Sequence, residues 1–561
     1  MQRKTLMIQA ALLACVAGTG QAATSAGQTY FNNNCASCHT VDPNLSSRAG
    51  PGLYGVVGRK LGAAPGFNYS QALARAGGSG KTWTHQELEL FLADPSKAVP
   101  GTTMPVNVPD KADREALIAY LASLRGESAA TVAQAATGSA AAPGNWSENK
   151  PGRNYRITVE QLVAPYGSSS AGNSPKLAPR PEGAMPSVPP GFKIGIFGTD
   201  PDRGRGPLRA PNGDIFLADP GKGQIRVFRQ GGADKAESDG IYITGLTRPY
   251  GMAFYPSNAH PQYLYVANVN SVVRIPYANG DLKARGEPEV VVPKLVDTTG
   301  GHVTRTLAFS QDDKTLFVSI GSATNVATDI GNKPPEALSK WEAEHGVGGA
   351  WGVETDRASV LAFSPDGKER RPFATGLRNC VGMLVYPTTG DLMCSVNERD
   401  ELGDNLPPDY VTRVKKGGFY GWPWYYLGDH EDPRLKDVRP DLKGKVIVPD
   451  TLLQAHSAPL GMVVYHAPAG AKHAFPKEYE GEVFVALHGS WNRGTRTGYK
   501  VVRVFMKNGV PTGEYQDFMT GFVISDREVW GRPAGVAVAA DGALIVADDG
   551  GGVLWRIAPE R

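Results

Sequence analysis

The sequence predicts a multidomain protein: a small all-α domain at the N-terminus, followed by an all-β six-bladed propeller. Three observations carry that reading. Residues 24–125 show helical periodicity. Residues 126–150 are small and polar, the composition of a flexible tether. From about residue 190 onward the text is strand, turn, strand, and it repeats itself.

Composition sets the outer bounds. The 561 residues are 41% hydrophobic and 20% charged, as in a globular chain. The 68 glycines and 43 prolines far exceed average usage and are spread along the chain, as many turns and short strands require. Length alone allows about three or four domains, fewer where one is a large β architecture. A net charge of +3 argues against nucleic acid as a partner. No stretch beyond the N-terminus reaches the roughly 18 apolar residues of a membrane span.

The first residues read as an address. Met1-Gln2-Arg3-Lys4 is basic, Leu6 to Val16 is apolar, and small residues end at Gly20-Gln21-Ala22-Ala23. Residues 1–23 are expected to be a secretory signal cleaved near Ala22 or Ala23. The alternative is a lipoprotein box, Leu12-Leu13-Ala14-Cys15, with Cys15 acylated. Either way the mature chain is expected outside the cytoplasm, periplasmic or secreted.

Of the five cysteines, two stand in Cys35-Ala36-Ser37-Cys38-His39, the spacing of covalent haem c attachment. The thiols add to the haem vinyl groups and His39 is placed to bind the iron. Met104 is the only methionine between residues 24 and 184, hence the only thioether available as second axial ligand. A His/Met pair raises the potential and suits electron transfer. Cys380 and Cys394 are left either to pair or to stay buried as small hydrophobes.

The repeat carries the second domain. Arg248–Phe254 precedes Tyr263–Asn268; Thr306–Ser310 precedes Thr315–Ser319; Val381–Val385 precedes Asp391–Ser395. Pro459–Val464 precedes Gly481–Ala486, and Arg532–Val538 precedes Ala543–Asp548. A sixth, degenerate copy ends in Pro211–Asp219. Units of about 60 residues fit six propeller blades better than the alternative, a long β-sandwich. Just before the inner strands stand Arg203 or Arg205, Arg248, His302 with Arg305, Arg378 with Asn379, His456, and Arg532. Their convergence predicts a cationic mouth suited to a planar poly-anion.

Two resemblances sharpen this. Around Cys35–His39, the segments Gly50-Pro51, Gly58-Arg59-Lys60, Pro65–Ser70, Thr82-Trp83, Pro100–Met104 and Leu117–Leu121 resemble class I cytochrome c. This implies that the Pro51 carbonyl orients His39, and that Tyr69 and Trp83 bond a haem propionate. Residues 185–561, after a linker and lead-in over 126–184, resemble PQQ-dependent sugar dehydrogenases of the sorbosone/pyranose branch. The matching text is Gly301–Arg305, Gly376–Asn379, Asn397–Tyr410, Gly421–Pro423, His456–Gly461, Ala486–Arg493 and Gly531–Pro533.

That resemblance implies His302 as general base, an imidazole titrating near neutral pH. It implies Arg378 and Asn379 on the quinone oxygens and carboxylates, Arg378 also stabilising charge on the reduced quinone, with Arg305 and Arg532 on the cofactor. His488 with Arg493 stands where the family often uses a lysine. The acidic turn 398–409 implies Ca²⁺, with Asp400 and Glu401 contributing backbone and side chain. The expected activity is oxidation of a sugar, aldehyde or alcohol with PQQ, electrons passing to the chain's own haem c and then to an external acceptor. The rivals are a Ca²⁺-dependent lactonase-like hydrolase and a non-catalytic, haem-linked carbohydrate-binding propeller. Trp351, Trp424, Tyr425 and Tyr426 either stack on a sugar ring or pack a blade.

Overall fold

The computed structural model describes residues 26–124 and 145–560, apart from 29, 32, 33, 37, 38, 42–44, 46, 48, 49, 66, 68, 103, 105, 106, 169, 201, 232, 233, 328 and 329. The expected signal segment, Cys15 and Cys38 lie outside the described residues. The chain divides into two compact units, Met1–Ser139 and Ala140–Arg561.

The first unit contains helices Gln71–Gly78, His85–Ala93, Pro95–Ala98 and Lys111–Ser123. Each begins at a side-chain cap, as its sequence allows: Ser70 accepts from the Leu73 N–H, Thr84 from Glu87, Asp94 from Lys97, and Asp110 from Ala112 and Asp113. Their apolar faces, including Leu88, Phe91, Leu117 and Leu121, enclose Phe31, Val56, Leu61 and Trp83.

The second unit is a ring of six antiparallel blades. Blade 1 is Gly206–Arg209, Ile215–Asp219, Gln224–Gln230 and Ala236–Ile243. Blade 2 is Met252–Tyr255, Tyr263–Ala267, Val272–Pro276 and Glu289–Val292. Blade 3 is Arg305–Phe309, Leu316–Ile320, Ser359–Phe363 and Arg371–Thr375, extended by the parallel Gly418–Phe419. Blade 4 is Cys380–Val385, Leu392–Val396, Pro408–Arg413 and Thr451–Ala455. Blade 5 is Pro459–Val464, Val483–Leu487, Lys500–Lys507 and Val510–Met519. Blade 6 is Pro533–Val538, Leu544–Asp548 and Val553–Pro559, and its outer strand is Phe192–Thr199, from before blade 1. That strand closes the ring and removes a free sheet edge.

The second strands are almost wholly buried on both faces, so they read as predominantly apolar runs. Successive side chains feed the two flanking cores: in blade 1, Phe216 and Ala218 pack toward blade 2, Ile215 and Leu217 toward blade 6. Cys380 and Cys394, open in the sequence, form a disulfide across the first two strands of blade 4.

The segment from residue 145 to the closing strand departs from expectation. The sequence reads 126–184 as tether and lead-in, but from residue 145 the chain is strapped onto the propeller. Trp146 donates from Nε1 to Asp526 at 2.8 Å. Asn154–Arg156 adds a fifth strand to blade 5, and Lys176–Leu177 pairs in parallel with Glu528–Val529. The strap docks through polar bonds, short strand pairings and a few scattered apolar residues such as Tyr155, Ile157 and Leu162, which composition alone cannot distinguish from a solvated linker.

Candidate active site

In the first unit, His39 Nδ1 lies 2.9 Å from the Pro51 carbonyl, as the cytochrome resemblance implies. Donation there fixes the tautomer and places the lone pair on Nε2. Gly50 lies flat against the imidazole, where any Cβ would collide with the ring. Met104 packs at the edge of the same core. Arg59, given no role in the sequence reading, is half-buried beside Tyr69, with Nη2 on the Gly52 carbonyl at 2.6 Å and Nε without a partner. An orphaned guanidinium N–H there fits a propionate carboxylate.

In the second unit, the inner strands all run in one sense, so the loops that enter them meet at one end. His302 precedes the inner strand of blade 3. Its Nδ1 lies 3.0 Å from the Ser322 carbonyl and 2.9 Å from Ser322 Oγ, so Nε2 carries the lone pair. Burial first, then the charge of Arg378, pushes the imidazole down to about 3. This corrects the expectation of titration near neutral pH: the ring is neutral across the physiological range.

Arg357, which sequence reasoning missed, clamps the His302 loop. Its guanidinium donates to the carbonyls of Gly321 (2.9 Å), Thr298 (2.9 Å), Gly300 (2.8 Å) and His302 (2.9 Å). Glu354 holds the next turn through the N–H groups of Ala323 and Thr324. Gly321 lets Asn379 and His302 approach, since a Cβ there would strike both side chains.

Arg378 donates to Asn325 O (3.0 Å), Asn325 Oδ1 (2.8 Å) and the Glu398 carbonyl (2.7 Å). Arg305 is fully buried; Nη1 donates to the carbonyls of His302 and Thr304, while Nε and Nη2 have no partner. Arg493 donates to the Asp404 carbonyl at 2.8 Å and also leaves Nε unpaired. Arg532 donates to the carbonyls of His488 (3.1 Å) and Gly489 (2.6 Å). His488 Nε2 lies 2.7 Å from Asp549, whose other oxygen is 2.6 Å from Arg205. Burial, together with Arg532, pushes His488 down to about 4, so the neutral ring donates to the carboxylate. Arg203 and Arg248 are exposed turn residues at positive φ.

The acidic turn is already occupied by protein donors. The Asp400 carboxylate lies 3.6 Å from Arg378 and 3.5 Å from His456. The Gly403 carbonyl faces His456 Nε2 at 3.0 Å, and the Asp400 carbonyl accepts from Arg399 Nε at 2.8 Å. The Glu401 N–H is held by Asn492 Oδ1 at 2.9 Å. Among the described residues, no group of three or more His, Cys, Asp or Glu is arranged to hold a metal. In this structure the Asp400 carboxylate is flanked by Arg378 and His456, and the Glu401 backbone by Asn492.

Trp351, Trp424, Tyr425 and Tyr426 are buried and pack. Trp424 Nε1 donates to the Gly348 carbonyl and the Tyr425 hydroxyl to the Arg439 carbonyl. A cavity of about 940 Å³ is the central channel on the inner strands, reaching the opposite end at Ser257, Gln311, Pro387 and His466. Tyr250, Val381, Leu460 and Ala534 meet across the axis just below the mouth.

A family model described as TrAA12-like matches residues 186–407 and 441–560. The chain belongs to the TrAA12-like family. A cytochrome c model matches residues 24–125, and the N-terminal domain is a cytochrome c: it is 42% identical over 98 residues to cytochrome c2 of Agrobacterium tumefaciens, covering 17% of this chain and 86% of that protein. An uncharacterised protein of Borreliella burgdorferi is 26% identical over 392 residues, 67% of this chain and 91% of that one. Among solved structures, the holo PQQ domain of pyranose dehydrogenase from Coprinopsis cinerea shares the propeller fold with a TM-score of 0.53 at 20% identity, over 71% of this chain and 100% of that one. A calcium structure of the Trichoderma reesei family AA12 protein gives 0.52 at 18% identity, over 67% and 97%.

In this TrAA12-like propeller, His302, Arg305, Arg378, Asn379, His488, Arg493 and Arg532 all enter from the inner-strand or second-strand ends of blades 3 to 6, the end where the mouth forms. Asn379 Oδ1 is buried and unpaired. The open donors and this acceptor are what a planar poly-anion with ring oxygens and nitrogens would fill. Arg357 and Glu354 were invisible in sequence because they act mainly on backbone groups.

Proposed function

We propose that this protein is a quinohaemoprotein dehydrogenase outside the cytoplasm, which oxidises a sugar, aldehyde or alcohol with PQQ and passes the electrons to haem c in its own N-terminal domain. The observation that carries it is the set of buried guanidinium groups with unspent donors around a neutral, oriented His302. It occurs in a chain that also holds Cys35–His39 and Met104.

PQQ, when bound, supplies the two-electron acceptor. Arg305 and Arg493 offer unspent N–H groups to its carboxylates, and Asn379 offers an amide. Arg378, held rigid by four backbone and side-chain oxygens, puts its charge beside His302 without reorganising. His302 Nε2 takes the substrate hydroxyl proton while Nδ1–H stays on Ser322. The carboxylates of the cofactor, if held by these arginines, would offset the positive charge near His302 and raise its basicity. Arg357 holds the loop so that Nε2 keeps its direction. In the first unit, Pro51 orients His39 and Arg59 offers Nε to a propionate.

The test is to load the purified protein with PQQ, add aldoses, aldehydes and alcohols in turn, and follow haem reduction. His302→Gln should lower substrate-driven haem reduction about 10²–10⁴-fold while chemical reduction of the haem stays normal. Haem reduction by substrate at the wild-type rate in that variant would place the base elsewhere, and none with any substrate in the wild type would sink the reading.

A further inference from the structure

We propose that Tyr166 is an aromatic platform for a sugar ring at the rim of the mouth, a specificity-determining residue for a pyranose substrate; this rests on the oxidation of sugars inferred above. Sugar recognition wants an exposed, rigid aromatic face for the C–H side of the ring and fixed donors for its hydroxyls. The aromatic residues that sequence offered for this, Trp351, Trp424, Tyr425 and Tyr426, are all spent on packing. Tyr166 is 56% exposed, and among the described residues it is the only aromatic side chain in the exposed class.

Its backbone is held in place at a cost. Tyr166 has φ of 60°, the left-handed region that a residue with a bulky side chain avoids unless its surroundings impose it. The surroundings do so. The Tyr166 N–H donates to the Leu402 carbonyl at 2.8 Å, and Gly167 N–H closes back on Ala164 at 3.0 Å. Ser168 Oγ accepts from Asp404 N–H at 2.9 Å and Ser170 Oγ from Gly403 N–H at 2.8 Å. The Asp404 carboxylate accepts from Ala171 N–H at 3.0 Å. The strap tip is thus riveted to the turn whose Glu398 carbonyl holds Arg378 and whose Gly403 carbonyl faces His456.

Tyr166 is close enough to Arg434 to interact with it electrostatically. Arg434 donates to the Val326 carbonyl, next to Asn325, the residue that receives Arg378. A sugar ring lying on Tyr166 would be within the field of the Arg434 charge. Residues 126–185 fall outside both matched segments.

The experiment uses the full-length protein and methyl β-D-glucopyranoside, whose anomeric position is blocked, measured by calorimetry. Tyr166→Ala should weaken its binding about three- to tenfold, and Tyr166→Phe should restore it. Haem spectrum and melting temperature should stay as in the wild type, since the side chain is exposed. In turnover, KM for aldoses should rise by the same factor in Tyr166→Ala with kcat unchanged, while a small aldehyde such as glycolaldehyde should be unaffected. Undiminished glucoside affinity in Tyr166→Ala, or no affinity in the wild type, overturns the platform. Glucoside binding that depends on Tyr166, without haem reduction by any sugar, upholds the platform and overturns the oxidation.

Discussion

Arg305 is fully buried, and the nearest charge on it is another cation, Arg357. Burial first, then Arg357, pushes its guanidinium down to about 9, and Nε and Nη2 reach no acceptor. A cation left this way costs several kcal/mol unless something anionic comes to it. Arg378, by contrast, spends its donors on Asn325, Asn397 and Glu398. Arg305→Met keeps the volume and removes the charge. The expected outcome is a melting temperature equal to or above the wild type by calorimetry, with PQQ affinity lowered about tenfold or more. A large loss of melting temperature would mean that Arg305 serves the fold instead. Sequence register placed Arg305, Arg378 and Arg532 at the mouth together. It gave no means of ranking them, because the ranking depends on which backbone carbonyls each reaches.

The strap from residue 145 is held by a buried charge pair. Lys500 Nζ lies 2.7 Å from Asp517, and both side chains are wholly buried in blade 5. The strap completes their shell: Asn149 Oδ1 accepts from Lys500 at 3.0 Å, and Asp517 accepts from the Tyr155 hydroxyl at 3.0 Å and the Lys150 N–H at 3.2 Å. Tyr155 stacks on Tyr515 with centroids 4.8 Å apart. Removing one partner strands the other, whereas replacing both by apolar groups does not. Lys500→Met should cost about 3–5 kcal/mol in denaturant unfolding of the propeller. Lys500→Met combined with Asp517→Leu should recover most of that, and equal losses in the two variants would refute the coupling. The strap escaped the sequence reading because its polar pairs, short strand pairings and scattered apolar contacts reach partners far away in the chain, with neither periodicity nor repeat. The blades were readable because burial on both faces writes each second strand as a predominantly apolar run, such as Ile215–Asp219 or Leu544–Asp548. The closing strand Phe192–Thr199 was not, since its partner Val553–Pro559 lies at the other end of the domain.

Across the whole propeller the mouth concentrates buried ionisable groups whose shifts oppose one another. His302 and His488 are pushed down to about 3 and about 4. Between those values and the ordinary histidine value near 6.5, the unfolded chain binds protons that the folded one refuses, so these two make stability rise with pH. Glu398 and Asp409 go the other way. Burial pushes them up to about 7 and about 6. Between the ordinary carboxyl values near 4 and those raised values, the folded protein holds protons that the unfolded chain has lost. Their contribution is present at low pH and is lost as pH climbs toward 7. Glu398 is buried, with Oε1 unpaired and Oε2 3.1 Å from the Arg399 N–H, a bond that an amide oxygen can replace. At pH 5 the folded carboxyl is protonated and neutral, so Glu398→Gln changes little. At pH 8 it is ionised in both states, the burial penalty is complete, and the amide removes it. Glu398→Gln should therefore raise the melting temperature of the propeller transition more at pH 8 than at pH 5, as read by calorimetry at the two pH values. An equal shift at both would mean that the Glu398 carboxyl titrates at its ordinary value and that the acidic turn sits in a more solvated environment than its burial implies.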